Sequence, residues 1–131
     1  MIKIVYVLRA RGDIDEAEFY RYWLEEHAPK MRSIARTVGA VRYVQSHTVE
    51  TPLSRPMIES RGMSRPFEGV TEVWFESREA MVAGLSTAEG AAGMQMLLED
   101  EKHFVDLAGS TMFVTEEHTI FDFSPPPATP S

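Results

Sequence analysis

In "FYRYWLEEHAP", residues 19–29, Phe19, Trp23 and His27 recur every four residues. On a helix that spacing gathers two aromatic rings and an imidazole on one face. The stripe continues through Met31, Ile34 and Val38, and Gly39 follows as the residue that commonly terminates a helix in left-handed geometry. Upstream, Asp13 and Glu16 have the spacing of a capping box, with Asp in place of Ser or Thr, which predicts a helix start there. Pro29 interrupts the run, because it has no N–H for the carbonyl of Glu25 and pushes Ala28 away from helical geometry. A kink is predicted, or two helical pieces with Pro29 at the first position of the second. In both cases a carbonyl is left free beside His27, where water or substrate can enter.

Working outward, "IKIVYVL" (2–8) is short and rich in β-branched residues and reads as a strand. "AVRYVQSHTVE" (40–50) alternates: Val41, Tyr43, Gln45, His47 and Val49 on one face, Arg42, Val44, Ser46 and Thr48 on the other. "EGVTEVWFES" (68–77) is a third strand, with Glu72 and Trp74 opposite Val73 and Phe75. Ser77 caps a short helix through Leu85. Thr87 caps a longer one with the stripe Met94, Leu97/Leu98, Glu101, Phe104/Val105 and Ala108, closed by Gly109. "STMFVTEEHTIFDF" (110–123) is the last strand, and the Pro-rich 124–131 reads as a disordered tail. The order β-α-β-β-α-β predicts an α+β, ferredoxin-like domain over residues 1–123: a four-stranded antiparallel sheet with helices on one face. Its strands are apolar on both faces, so the uncovered face would expose an apolar surface that soluble monomers rarely show. Two copies stacking those faces about a two-fold axis solve this, so a homodimer is expected.

At 131 residues the chain has room for one domain, and 44% hydrophobic residues suffice for a core. A formal net charge of −7 argues against nucleic acid as a partner. The absence of cysteine excludes disulfides, thiolate metal sites and a cysteine nucleophile. With no leader-like run and no apolar stretch near the ~18 residues a membrane span requires, a cytoplasmic protein without membrane partners is expected.

Four histidines are present, at 27, 47, 103 and 118, without metal-ligand spacing, so no metal is expected. His27 is either a packed core histidine or a general acid–base, since imidazole titrates nearest working pH. Glu72 lies mid-strand, where a carboxylate needs a partner: either a basic side chain such as Arg42 or Arg9, or the pocket of His27. His47 shares a face with Tyr43 and either lines the pocket or sits at a strand end. His103 and His118 read as structural or solvated. The connection 51–66 carries Arg55, Arg61 and Arg65 with Met57 and Met63, and serves as a lid over a ligand or as a surface loop in dimer contacts.

The segments "EFYRYWLEEHAP", "RYVQSHT", "PFEGVTEVWF" and "LLEDEKHFVD...FVTEEHTIF" resemble the EthD-like group of the dimeric α+β barrel superfamily, over about residues 1–123. The resemblance implies a pocket between sheet and helices in each subunit, lined by the stripe of Trp23 and His27. It implies a small cofactor-free enzyme acting by proton transfer, as isomerase, dehydratase or cyclase, on a cyclic or aromatic oxygenated metabolite. Taken with the reading of the residues above, His27 and Glu72 are expected to be catalytic, with Trp23, Tyr43, His47, Trp74, Phe19 and Arg61 binding substrate. The helix histidine of 4-methylmuconolactone methylisomerase would fall on His27, but its third-strand cysteine would fall on Val73, so that specific chemistry does not carry over. EthD is associated with a cytochrome P450 ether-degradation system, which makes an oxygenase system a candidate partner. The rivals are a non-catalytic metabolite-binding auxiliary and a small monooxygenase.

Overall fold

A computed structural model describes residues 1–127. Strands β1 (Ile2–Leu8), β2 (Arg42–His47), β3 (Gly69–Phe75) and β4 (Thr111–Glu116) form one sheet in the order β2-β3-β1-β4, with every neighbouring pair antiparallel. The predicted ferredoxin-like arrangement is therefore present. Between the strands lie α1 (Glu16–Arg21), a π-helical turn (Tyr22–His27), α2 (Ala28–Val38), α3 (Ser54–Glu59), α4 (Arg78–Ser86) and α5 (Ala88–Glu101).

The register settles which strand face is inward. Ile2, Ile4, Tyr6 and Leu8 pair opposite Phe75, Val73, Thr71 and Gly69, and this set meets the helices. One buried cluster joins Ile2, Val73 and Phe75 to Met31, Val38 and Leu97, while a second joins Leu8 to Phe19, Trp23, Phe104 and Val105. The stripe read from the sequence is the inner face of the first helical arm, with Phe19, Trp23, His27, Met31 and Val38 all buried. Gly39 ends α2 at φ 79°, in the left-handed region where glycine carries no Cβ penalty. At Gly84 the helices approach so closely that an added Cβ would lie 1.9 Å from the Val38 carbonyl oxygen.

Several boundaries differ from the predicted ones, each for a local reason. The first helix is capped by Asp15, whose carboxylate accepts from the Ala17 amide, while Asp13 is drawn off by the Arg11 guanidinium. Pro29 falls at the second residue of α2, and the strain of its missing donor is absorbed upstream as a full π turn. Helix α5 stops at Glu101 rather than Gly109, because Ala10 and Val105 pair as an isolated β-bridge that pulls the chain back to the sheet. The connection 51–66 contains α3, which the sequence reading placed in a loop. Strand β4 ends at Glu116, so residues 117–127 belong to no helix or strand. The predicted disordered tail 124–131 lies partly outside the described residues; 124–127 are exposed. No described helix is long and apolar enough to cross a membrane.

Candidate active site

The π turn positions the site. Widening the helix by one residue per turn directs the Ala28 amide to the carbonyl of Trp23, five residues back. The same carbonyl also accepts from the Gln45 side-chain amide at 2.8 Å, which ties the helix to β2. Gln45 further donates to the Tyr43 hydroxyl at 2.9 Å, and its Oε1 accepts from His47 at 2.8 Å. The His47 ring stacks on Trp23 with centroids 4.5 Å apart. Beneath the indole lies Gly69, where a Cβ would come within 2.7 Å of the Trp23 ring. Trp23 is thus clamped, and the turn that follows it places His27 over the sheet.

His27 is 7% exposed and borders an internal cavity of about 60 Å³ between sheet and helices. Its Nδ1 lies 2.7 Å from Asp100 Oδ2 on α5. The other Asp100 oxygen accepts from Tyr22 and from Lys30, both at 2.5 Å. Burial alone would raise the Asp100 carboxyl, but the donors Lys30, Tyr22 and His27 outweigh it and hold the group below its ordinary range. Ionised Asp100 therefore keeps the proton on Nδ1, and the lone pair falls on Nε2, which has no hydrogen-bond partner among the described residues, on a ring that lines the cavity. Burial depresses His27 below the ordinary imidazole value and outweighs the opposing pull of Asp100. The result is a neutral, oriented imidazole at neutral pH.

A second acid faces the same cavity. Glu101, also on α5, is 9% exposed and accepts from the Tyr6 hydroxyl at 2.9 Å. Burial, reinforced by the Asp100 charge, raises its carboxyl to about 7 despite the Tyr6 hydrogen bond. The rest of the lining is apolar, apart from Thr71 and the Tyr43 hydroxyl, and includes Met31, Met94 and Met112. Unbranched methionines can shift to enlarge a space that at 60 Å³ is far below the ~300–1,000 Å³ of ligand-filled pockets. Met112, on edge strand β4, is 50% exposed.

Of the residues singled out in the sequence, Trp23, His27 and Tyr43 line the cavity, and His47 stands behind Trp23. Phe19 is fully buried against Trp23 and Phe104 and supports the site from behind. The placement of Glu72 in the pocket is corrected: it lies on the opposite sheet face, paired at 2.6 Å with Lys3. Trp74 shares that face, where Arg42 and Lys3 lie over its ring and its indole donates to Glu117. Arg61 is exposed beyond α3 and donates to the Met57 carbonyl at 3.1 Å, away from the cavity. Asp100, Glu101 and Tyr6 were not singled out as site residues. The available signal was a carboxylate in the apolar stripe of α5, at Glu101. Among the described residues, no three His, Asp or Glu side chains gather as a metal site.

The EthD domain family model matches residues 11–108, a span that holds the π turn, His27, Asp100 and Glu101. Among solved structures, an EthD family protein from Bacillus halodurans is 20% identical with a TM-score of 0.62, over 90% of this chain and 99% of that one. A dimeric protein of ferredoxin-like fold from Bacteroides fragilis is 7% identical with a TM-score of 0.56, covering 88% and 95%. SnoaB, a cofactor-independent oxygenase from Streptomyces nogalater, is 16% identical with a TM-score of 0.51, covering 92% and 97%. No curated protein sequence matches the chain.

Proposed function

From a chain that belongs to the EthD domain family, we propose a cofactor-independent enzyme that moves a proton on a small cyclic or aromatic oxygenated molecule. The observation that carries this is the buried pair of His27 and Asp100 at 2.7 Å, on a histidine that lines a cavity and whose Nε2 has no partner among the described residues. His27 takes a proton from a carbon next to a carbonyl, or from a phenol, and Asp100 stabilises the imidazolium that forms. Glu101, titrating near working pH, donates to or receives from the substrate oxygen, with Tyr6 holding its carboxylate. The apolar walls exclude water, which strengthens each of these interactions. Isomerisation, dehydration and cyclisation all begin with this step.

The same abstraction followed by reaction of the carbanion with dioxygen is the oxygenase reading. SnoaB, a protein of this fold described as a cofactor-independent oxygenase, favours keeping it. The open sheet face, carrying Val5, Val7, Val44, Val70 and the 45% exposed Phe113, supports assembly as a homodimer.

Deuterium uptake from solvent into cyclic 1,3-dicarbonyl and phenolic compounds, followed by NMR, reads proton abstraction before the full reaction is known. Wild type is expected to catalyse exchange, and His27→Ala to lose ~10²–10⁴-fold of it. Oxygen consumption in the same samples separates the oxygenase from the isomerase class. Equal exchange by wild type and variant would refute the assignment, and binding without exchange would favour a metabolite carrier.

A further inference from the structure

Strand β3 turns Gly69, Thr71, Val73 and Phe75 toward the helices, and of these only Thr71 has a polar side chain. Thr71 is 7% exposed and lines the cavity. Its hydroxyl stands beside that of Tyr43, near enough to oppose the rise that burial imposes on the phenol. Yet it closes no hydrogen bond of ordinary geometry with any described residue. Valine has the same branched shape, suits a strand equally well, and is used two residues later at Val73. A buried hydroxyl without a partner costs stability that valine would not. Thr71 therefore sets an unmet polar group in an apolar wall, open to a partner from the cavity side.

The register gives this hydroxyl a particular neighbour. Thr71 pairs directly with Tyr6 across β3 and β1, so the two side chains share one face at touching distance. The Tyr6 hydroxyl is committed to Glu101 Oε1 at 2.9 Å, and Glu101 Oε2 has no hydrogen-bond partner among the described residues. Two groups that can bond a ligand oxygen thus border the same cavity, an acid and an alcohol, with only Tyr6 linking them.

We propose, on the reading of this cavity as the site of proton transfer, that Thr71 sets substrate specificity by bonding a second substrate oxygen while Glu101 meets the first. The substrate is then a 1,3-dioxygenated molecule. A carbon between two carbonyl groups gives up a proton far more readily than one beside a single carbonyl, because the charge spreads over both oxygens. That suits a base as weak as imidazole. The C–H bond breaks, its electron pair enters the conjugated system joining the two oxygens, and the proton goes to His27 Nε2. Return of that proton to another carbon or oxygen of the same skeleton completes the step with no outside oxidant or reductant. A mono-oxygenated molecule leaves the Thr71 hydroxyl unmet, and the site rejects it on that ground.

Pentane-2,4-dione and pentan-2-one are matched probes that differ by one oxygen. Each is titrated into the full-length wild type, Thr71→Val and Thr71→Ser, with affinity read from amide shifts in ¹⁵N–¹H NMR. Wild type is expected to bind the dione about tenfold or more tightly than the ketone. Thr71→Val should erase that preference, and Thr71→Ser, which keeps the hydroxyl, should retain it. Without ligand, Thr71→Val should unfold in urea at the same midpoint as wild type or a higher one. Equal dione affinity in wild type and Thr71→Val overturns the proposal. So does a wild type with no preference between the probes, including one that binds neither. A lower urea midpoint for Thr71→Val also overturns it, because the hydroxyl would then be bonded within the protein. Deuterium exchange into the dione keeps the two readings apart. Thr71-dependent binding without exchange removes proton transfer and leaves the oxygen site; exchange undiminished in Thr71→Val removes the oxygen site and leaves proton transfer.

Discussion

Replacing Glu101 by Gln tests the electrostatics of the cavity through stability alone. Gln keeps the shape and an oxygen that can accept from the Tyr6 hydroxyl, but it cannot ionise. In the folded chain the Glu101 carboxyl is raised from 4.5 to about 7, chiefly by burial. Such a displacement corresponds to about 3 kcal/mol at 1.36 kcal/mol per pH unit. Between these two values the folded protein binds more protons at this site than the unfolded chain does. Wild-type stability therefore falls as pH rises from about 4.5 to about 7, and is level on either side as far as this group is concerned. His27 acts in the opposite sense: its depressed folded value makes its share of stability fall as pH drops below the ordinary imidazole range. Both proteins contain His27, so the difference between them isolates Glu101. Urea denaturation from pH 4 to 8 should show the variant gaining about 3 kcal/mol on wild type across the window, or roughly 10 °C in Tm by scanning calorimetry. A difference between the two proteins that does not change with pH would refute the reasoning, because it would mean Glu101 titrates alike in folded and unfolded chains.

Asp100→Asn should cost 1–3 kcal/mol, roughly, by leaving Lys30 without its anionic partner. It should also lower turnover about 10²-fold or more by releasing the His27 tautomer. The acid limb of kcat/KM should move to lower pH, because the Asp100 charge raises His27, and a merely structural role would leave that limb in place. Gly84→Ala would ordinarily gain about 1 kcal/mol in a helix. Here the Cβ would sit 1.9 Å from the Val38 carbonyl oxygen, so the expected outcome is a loss of roughly 1–3 kcal/mol in urea denaturation.

The fold was legible because periodicity and punctuation agreed. The Phe19–Val38 stripe, Ser77 and Thr87 as caps, and Gly39 after α2 each behave in the structure as their chemistry dictates. Half of the candidate site was legible for the same reason, since His27 and Trp23 lie on that stripe and both border the cavity. Glu72 and Trp74 were misplaced because β3 carries apolar side chains on both faces, and alternation alone does not say which face meets the helices. The choice is made by pairing, which sets Glu72 opposite Val5 and beside Lys3. Asp100 escaped notice because its partner is 73 residues away and its own neighbours, Glu99 and Glu101, make it look like one charge of an acidic run. Only the tertiary crossing of α5 over the π turn separates the three: Glu99 binds Lys102 at the surface, Asp100 holds His27, and Glu101 enters the cavity. The π turn itself had a sequence cause in Pro29, though the sequence reading placed the disturbance as a kink rather than an upstream widening. Arg61 was assigned by charge and loop length, and nothing in its local sequence tells that α3 carries it outward.

The protonation state of one imidazole tests the account most directly. With histidine labelled at both ring nitrogens, ¹⁵N NMR between pH 4 and 8 reads tautomer and titration together. The His27 signals should show a proton on Nδ1 and a bare Nε2 at neutral pH, with protonation only below the ordinary imidazole value. A proton resting on Nε2, or a charged ring persisting above that value, would contradict the base at the centre of this mechanism.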